Sequence, residues 1–464
     1  MTPPQSAQHG RAARPLLVWP DFVVGGSVFL QRLIAGLEDS QRWSQARFSQ
    51  GQAKQLNALL QWAAEHSPHY QNLGMHAKKL AMLVDQPDQF WAQWQNLPLL
   101  TKTTLRTSAA KINSRNLPSA QLPTEVIHTS GSTGIPVEVQ TTPLTRLLWE
   151  SLTLREHLWH GRDFSKRLGI IRYRLAGDRE PLGTDLASWG APVATLYPTG
   201  TASVIHNGLP IKDYVAWLRR FDPHYLLTYP SILAELVQAM NEASGKPESL
   251  EEVRCISEPL DQSLEDRLLA EWGIRTTDMY SANEVGHIAF RCPEQGKLHV
   301  QSETIRVEIL DDNGVPCAPG QQGRVVVTPL HNFATPLIRY ELGDYATPGE
   351  PCACGRSLPV IEKVLGRVRN LLHTPDGNTL WPVGFAVLQT VAPVLQSQWI
   401  QTQLDTIQLR LVLERPLNAR ESEEVTQCVR RVLGYPFKVE IMHVDQIARG
   451  PTGKFEEFIS LVTD

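Results

Sequence analysis

Residues 253–284 read VRCISEPLDQSLEDRLLAEWGIRTTDMYSANE. Val253 to Ile256 is a short apolar run that suits a buried strand, Gln262 to Trp272 has the pattern of an amphipathic helix, and Ile274 to Met279 is a second strand-like run. A right-handed crossover through the helix makes the two strands parallel. Ligands reach such a sheet at the carboxyl ends of its strands. Ser257-Glu258-Pro259 and Tyr280-Ser281-Ala282-Asn283-Glu284 are expected in loops at those ends. The fold class that follows is α/β.

The same grammar extends upstream. Leu168 to Tyr173 and Tyr225 to Tyr229 are short apolar runs, the second followed by a helical stretch from Ile232 to Met240. Farther back the chain reads as helices: Leu56, Leu59, Leu60 and Ala63 recur at helical spacing until Ser67-Pro68 stops them. Downstream of residue 300 the pattern changes. Ile305 to Leu310 and Gly323 to Thr328 read as an antiparallel pair with a turn at Asp312-Asn313-Gly314. A compact tail follows, with a strand at Gln408 to Leu413, a helix at Glu423 to Leu433 and a strand at Lys438 to His443. The boundary is placed at a hinge near Gly366 to Asn370, giving a large unit at 1–365 and a small one at 366–464.

A chain of 464 residues exceeds what one core usually serves, so two domains are expected. With 44 basic and 48 acidic side chains, net charge −4 and no basic stripe, nothing favours a nucleic-acid partner. The longest apolar run, Leu16 to Leu33, is interrupted by Pro20, Asp21, Gln31 and Arg32, which argues against a membrane span and against an export signal. Six cysteines in so long a chain do not make a disulfide scaffold. A cytoplasmic enzyme is expected.

Three further segments carry chemistry. Thr129-Ser130-Gly131-Ser132-Thr133-Gly134 offers backbone N–H groups and hydroxyls that can surround phosphate oxygens, although such a loop taken alone is an ordinary surface turn. Arg339-Tyr340-Glu341-Leu342-Gly343-Asp344 ends in a carboxylate able to accept two hydrogen bonds from a diol. Arg449-Gly450-Pro451-Thr452-Gly453-Lys454 places a lysine in a glycine-flanked loop near the end of the small unit. Cys292, His299, Cys352 and Cys354 are separately a reasonable tetrahedral zinc set, with unrelated free thiols as the plain alternative.

Read together and in this order, these segments resemble the acyl-adenylate-forming superfamily and, within it, the phenylacetate–coenzyme A ligase branch. The resemblance covers most of the chain after about residue 120 and implies a large adenylate-forming domain with a small mobile C-terminal α+β domain. It implies that a carboxylic acid reacts with magnesium-bound ATP to give acyl-AMP, and that the acyl group then passes to a thiol, coenzyme A first among them. A carrier-protein thiol, an amine or hydroxyl acceptor, and a nucleotide-binding regulator without turnover are the alternatives. Thr129 to Gly134 would hold phosphates, Glu258 and Pro259 the adenine side, Tyr280 the adenine face, Glu284 the magnesium and Asp344 the ribose. Arg339 would support the nucleotide site, Arg367 of the Gly366-Arg367 hinge would add a nucleotide ligand, and Lys454 would be the catalytic lysine of acid activation.

The chain departs from the pattern at Ile135, where many members have lysine, at Asn283, and at Arg369, where aspartate is common. Cys292, His299, Cys352 and Cys354, with Gly355-Arg356 after them, match a cysteine–histidine arrangement in some members of the branch, so structural zinc is expected. A homodimer is a family-based expectation. The branch also points to an aromatic or arylalkyl acid, with Trp189, Tyr197 and Tyr229 in segments that approach the acyl pocket; ordinary core packing is their plain alternative.

Overall fold

The parallel pairing read from residues 253–279 holds in the computed structural model, which describes residues 29–128, 137–173, 180–243, 245–367, 371–380, 382, 385–449 and 455–462. Glu252–Cys255 and the first half of Arg275–Ala282 run parallel, with Val253 opposite Thr276. The connecting helix, Gln262–Trp272, starts where the Asp261 carboxylate accepts the Ser263 N–H. It stops at Gly273, whose φ of +67° suits glycine. Its apolar side buries Leu268 and Trp272.

These strands are the middle of a twelve-stranded sheet. On one side lie Tyr225–Thr228, Leu168–Arg172 and Ala202–His206, all parallel, with Thr184–Leu186 antiparallel at the edge. Every residue of Ala202–His206 is buried, as expected for a parallel strand covered on both faces. On the other side follow Gly286–Arg291, Leu298–Val300, Val360–Arg367, Tyr340–Pro348, Gly323–Pro329 and Ile305–Leu310, paired antiparallel. The expected hairpin-like pair is present, with Ile305 opposite Pro329 and Leu310 opposite Arg324. Its connection is longer than one turn, because Leu310 first bridges to Pro316.

Arg275–Ala282 belongs to both halves. Its first residues pair parallel with Glu252–Cys255, and Met279 to Ala282 pair antiparallel with Gly286–Arg291. Tyr280 to Ala282 therefore lie in a strand rather than in the expected loop; only Asn283 to Val285 form the turn. The extra neighbour on the antiparallel side gives these residues backbone partners that a loop would lack.

The helices read near the start pack under the antiparallel half. Gln45–His66 buries Leu56, Leu59, Leu60 and Ala63. At about 1.5–3 kcal/mol per fully buried Leu side chain, that stripe is the main reason this helix docks. Ser44 caps its start, and its buried Gln52 and Gln55 satisfy the carbonyls of Ser302 and Leu330.

Helix Pro143–Trp159 carries the most buried ions. Arg155 pairs with Glu303 at 3.0 Å, and Glu156 holds Arg162 at 2.8 Å and Arg254 at 2.5 Å. Arg162 also meets Glu252, so two carboxylates and two guanidiniums share one sealed cluster.

The strand Val360–Arg367 stays in the large sheet two residues past the boundary drawn from sequence. The small unit is a four-stranded sheet of Lys438–His443, Thr406–Leu413, Val394–Gln403 and Phe458–Ser460. Helix Ala419–Leu433 covers it and buries Val425, Cys428, Val429 and Leu433 around Trp399 and Phe437. Asn418 and Glu421 cap that helix reciprocally, and Gly434 at φ +67° ends it. Among the described residues no helix is long and apolar enough to cross a membrane.

Candidate active site

Of the sequence-predicted residues, Tyr280 and Asp344 meet where the sheet changes from parallel to antiparallel. The Tyr280 hydroxyl donates to a carboxylate oxygen of Asp344 at 2.7 Å. Tyr280 is buried and Asp344 half-buried. The strand register sets Arg367 opposite Asp344, so the backbone of the hinge strand runs beside the proposed ribose carboxylate. Two residues other than glycine in this region take left-handed backbone conformations: Ser257 at φ +70°, just before Glu258, and Arg339 at +49°, at the head of the Asp344 strand. Such strain is concentrated at sites that hold a fixed geometry.

Glu284 follows Tyr280 in the turn. Its carboxylate is buried and sits 3.7 Å from the Lys102 ammonium, at the start of helix Lys102–Ile112. Gly286 closes this turn at φ +78°, and a Cβ there would lie 2.3 Å from the Trp149 indole. Glycine is required at that position. Lys102 was not singled out from sequence, because no local pattern sets it apart from other helix-start lysines.

Arg339, expected to support the nucleotide site, is buried beneath it. Its guanidinium points into the core, donating to the carbonyls of Gln95 and Leu97 at 2.6 Å and pairing with Glu308 at 3.1 Å. With 3% of its surface exposed it is a strut under the site. A planar fork with several donors suits this junction of carbonyls and carboxylate. Trp189 likewise packs in a core with Phe164 and Tyr225, its indole N–H donating to the Lys166 carbonyl. Tyr197 packs on Phe164 and stays partly exposed. Tyr229 is buried at the carboxyl end of its strand, where its hydroxyl accepts the Tyr173 N–H.

Glu258 lies beyond the strand Glu252–Cys255 and serves both units. One carboxylate oxygen accepts the Ser231 N–H at 3.0 Å, and the other accepts the Phe455 N–H at 2.8 Å. Pro259 beside it is exposed. Thr129 to Gly134 and Lys454 lie outside the described residues, as does Arg369. The strands flanking the former, Glu125–His128 and Glu138–Thr141, pair antiparallel.

The cysteine–histidine set is assembled away from this rim. One ligand atom from each of Cys292, His299, Cys352 and Cys354 falls within 4.8 Å of the others. His299 Nε2 is 3.3 Å from the Cys354 sulfur, while Nδ1 faces the Leu358 carbonyl at 3.3 Å. That arrangement fixes the ring with Nε2 toward the sulfurs. Burial pushes His299 down to about 4, so the imidazole is neutral and able to ligate. Burial also pushes the Cys352 thiol up to about 11. For Cys354 burial acts the same way, but hydrogen bonds from Arg356 and the neighbouring thiols offset it and hold the thiol below its ordinary value. Three thiolates around a divalent ion carry one net negative charge, and Arg356 approaches the Cys292 sulfur at 3.9 Å. These residues fit a closed tetrahedral zinc site.

Residues 54–333 match the AMP-binding enzyme family and residues 372–460 match the CapK C-terminal domain. The phenylacetate-coenzyme A ligase of Thermus thermophilus is 25% identical over 293 residues, which are 56% of this chain and 66% of that protein. The enzyme of the same name from Escherichia coli is 24% identical over 324 residues, 68% of this chain and 70% of its own. The matched stretch thus spans about two thirds of these curated relatives. The crystal structure of 2-hydroxyisobutyryl-CoA ligase in the postadenylation state with R3-HIB-AMP aligns at TM-score 0.68 and 21% identity over 90% of each chain. With 2-HIB-AMP and CoA in the thioesterification state, that ligase aligns at 0.55 and 22% identity, over 91% of this chain and 93% of its own. At 21–22% identity these alignments show a shared fold over about nine tenths of the chain. With well over half its length matched, the chain belongs to the AMP-binding enzyme family, on the phenylacetate–coenzyme A ligase-like branch of the adenylate-forming superfamily, and so among the AMP-forming acid–thiol ligases.

Proposed function

We propose that the protein activates an aromatic or arylalkyl carboxylic acid with magnesium-bound ATP and transfers the acyl group to coenzyme A. The observation that carries this reading is the Tyr280–Asp344 hydrogen bond at 2.7 Å, beside buried Glu284 and facing a rim where Glu258 holds the backbone next to Lys454. An aromatic face and a hard carboxylate from one segment lie with a diol-binding carboxylate from a second, and Lys454 would be brought to them from a third.

In the first step a carboxylate oxygen attacks the α-phosphorus, the bond to the β-phosphate oxygen breaks and pyrophosphate leaves. Asp344 holds the ribose hydroxyls, Tyr280 lies against adenine, and Glu258 and Pro259 bound the adenine side. Thr129 to Gly134 donate N–H and O–H groups to the phosphates, and Arg367 adds a charge from the hinge strand. Glu284 would hold magnesium, which draws charge off the phosphates; its pairing with Lys102 keeps the carboxylate compensated before the nucleotide arrives. Lys454 neutralises charge shared by the substrate carboxylate and the α-phosphate. In the second step the thiol sulfur attacks the acyl carbon, AMP departs and the thiol proton is released. No side chain of the protein need form an acyl-enzyme, because adenylation already supplies the leaving group. Cys292, His299, Cys352 and Cys354 would hold zinc as a structural tie, with no open position for catalysis. The six cysteines form no disulfide, which accords with a cytoplasmic setting.

Acid-dependent pyrophosphate exchange, followed by thioester formation, tests the assignment. Benzoate, phenylacetate, hydroxylated aryl acids and aliphatic acids are compared at one ATP concentration. The Lys454→Ala variant should lose exchange by at least about a hundredfold. Near-normal exchange in that variant would reject the lysine's role, and a higher kcat/KM for aliphatic acids would reject the aromatic preference. Elemental analysis of protein purified without added metal should find about one zinc per chain; none, in a fully active preparation, would remove the metal from the reading.

A further inference from the structure

Of the residues that dock the small unit, Arg449, Ser231, Glu235 and Gln396 have no part in the chemistry above; Glu258 is shared with it. Arg449 stands five residues before Lys454 and Phe455 one residue after it. One terminal nitrogen of Arg449 reaches the Ser231 hydroxyl at 2.6 Å, and the other reaches Glu235 at 2.8 Å. Glu258 lies 3.9 Å from the first nitrogen and accepts the Phe455 N–H. Gln396, from the sheet of the small unit, approaches the same Glu235 oxygen at 3.4 Å. Ser231 and Glu235 are four apart on helix Pro230–Ala243, hence on one face of it. Both shores of the lysine loop are therefore tied to one helix start and one strained loop of the large unit.

Resting on the ligase reading, we propose that Arg449 is a positioning residue for acid activation: with Ser231, Glu235 and Glu258 it forms a latch that seats the small unit while Lys454 is needed, and it takes no part in thioester formation. The exposure of the pair suits a contact that opens and closes. Arg449 keeps 17% and Glu235 37% of their side-chain surface open to water, so releasing them does not strand a buried charge. Crowding raises the Glu235 carboxyl above its ordinary range, and Arg449 pulls it back.

The test separates the half-reactions in the full chain. For Arg449→Ala, pyrophosphate exchange with phenylacetate as the probe acid should fall about tenfold or more through loss of the seated population. Release of AMP from presynthesised phenylacetyl-AMP plus coenzyme A should stay within about twofold of the unaltered protein. Arg449→Lys should restore part of the exchange rate, and Glu235→Gln should reproduce much of the loss. Equal falls in both half-reactions would overturn the proposal. Amide hydrogen exchange provides a readout independent of the acid: the Phe455 N–H should exchange faster in Arg449→Ala, and unchanged protection there would also overturn it. Absence of turnover in the unaltered protein would count against the ligase reading alone, because the Phe455 measurement would still decide the latch.

Discussion

Two clusters of arginine and glutamate are built from the same chemistry and do opposite things. Behind the parallel strands, Glu156, Arg162 and Arg254 are sealed, with side-chain exposures of 2, 0 and 5%, and Glu252 closes the edge of the cluster. At the rim, Arg449 and Glu235 are partly open to water, with 17 and 37% of their side-chain surface exposed. Breaking a sealed pair leaves an uncompensated charge in a medium that cannot solvate it, so such a cluster is either whole or the fold fails. An accessible pair can be exchanged for water at little cost, so it decides which pose is populated while leaving the fold intact. Burial, not pairing, separates a fastener from a catch.

The sharpest way to break this contrast is Glu156→Ala, which strands Arg254 and leaves Arg162 with Glu252 alone. Denaturant unfolding should show a loss of about 3–5 kcal/mol. A loss no larger than that of a surface pair would erase the distinction. Next in size is Arg339→Lys, which keeps a charge beside Glu308 but loses the fork that serves two carbonyls. It should cost about 1–3 kcal/mol in the same assay. An increase in the KM for ATP without any loss of stability would return Arg339 to the nucleotide.

Acid should separate the clusters without mutation. Burial opposes ionisation of Glu156, but the charges of Arg162 and Arg254 outweigh it and hold the carboxyl well below its ordinary range. Its contribution to stability is therefore present above the ordinary carboxylate range and is lost only as pH falls through the depressed value. Glu235, raised by burial, protonates earlier on the way down and weakens its hold on Arg449. Protection of the Phe455 amide should decline in mild acid while global unfolding stays unchanged; simultaneous loss would contradict the separation. The smallest effect is expected at Arg420–Glu424, a neighbouring pair on an exposed helix face. Arg420→Ala should leave the unfolding midpoint unmoved, as a control for the other three.

The parts legible in the sequence were those with a local period. The strand–helix–strand stretch from 253 to 279, the pair at 305–310 and 323–328, and the tail helix between two strands all announce themselves within a dozen residues. Tyr280, Glu284 and Asp344 also stand in short ordered motifs, and the fold brings Tyr280 to Asp344. What could not be read was direction and distance. Arg339 sits in such a motif, yet nothing local says that Gln95, Leu97 and Glu308 would supply its partners. Arg449 meets Glu235 across 214 positions, and such pairs leave no periodic trace. Tyr280 to Ala282 looked like loop because the second strand that claims them, Gly286–Arg291, comes after them and pairs in the other sense.

That shared strand behaves like a vernier. Its parallel neighbour sets one side-chain phase and its antiparallel neighbour another, and the register slips between Tyr280 and Ser281 to reconcile them. A single residue inserted or deleted on either side of the slip would exchange faces for everything beyond it, carrying Tyr280 away from Asp344 or Glu284 away from the rim. Length in this stretch is therefore under tighter constraint than composition: substitutions along it can be absorbed one at a time, whereas an indel of one would misalign two rulers at once.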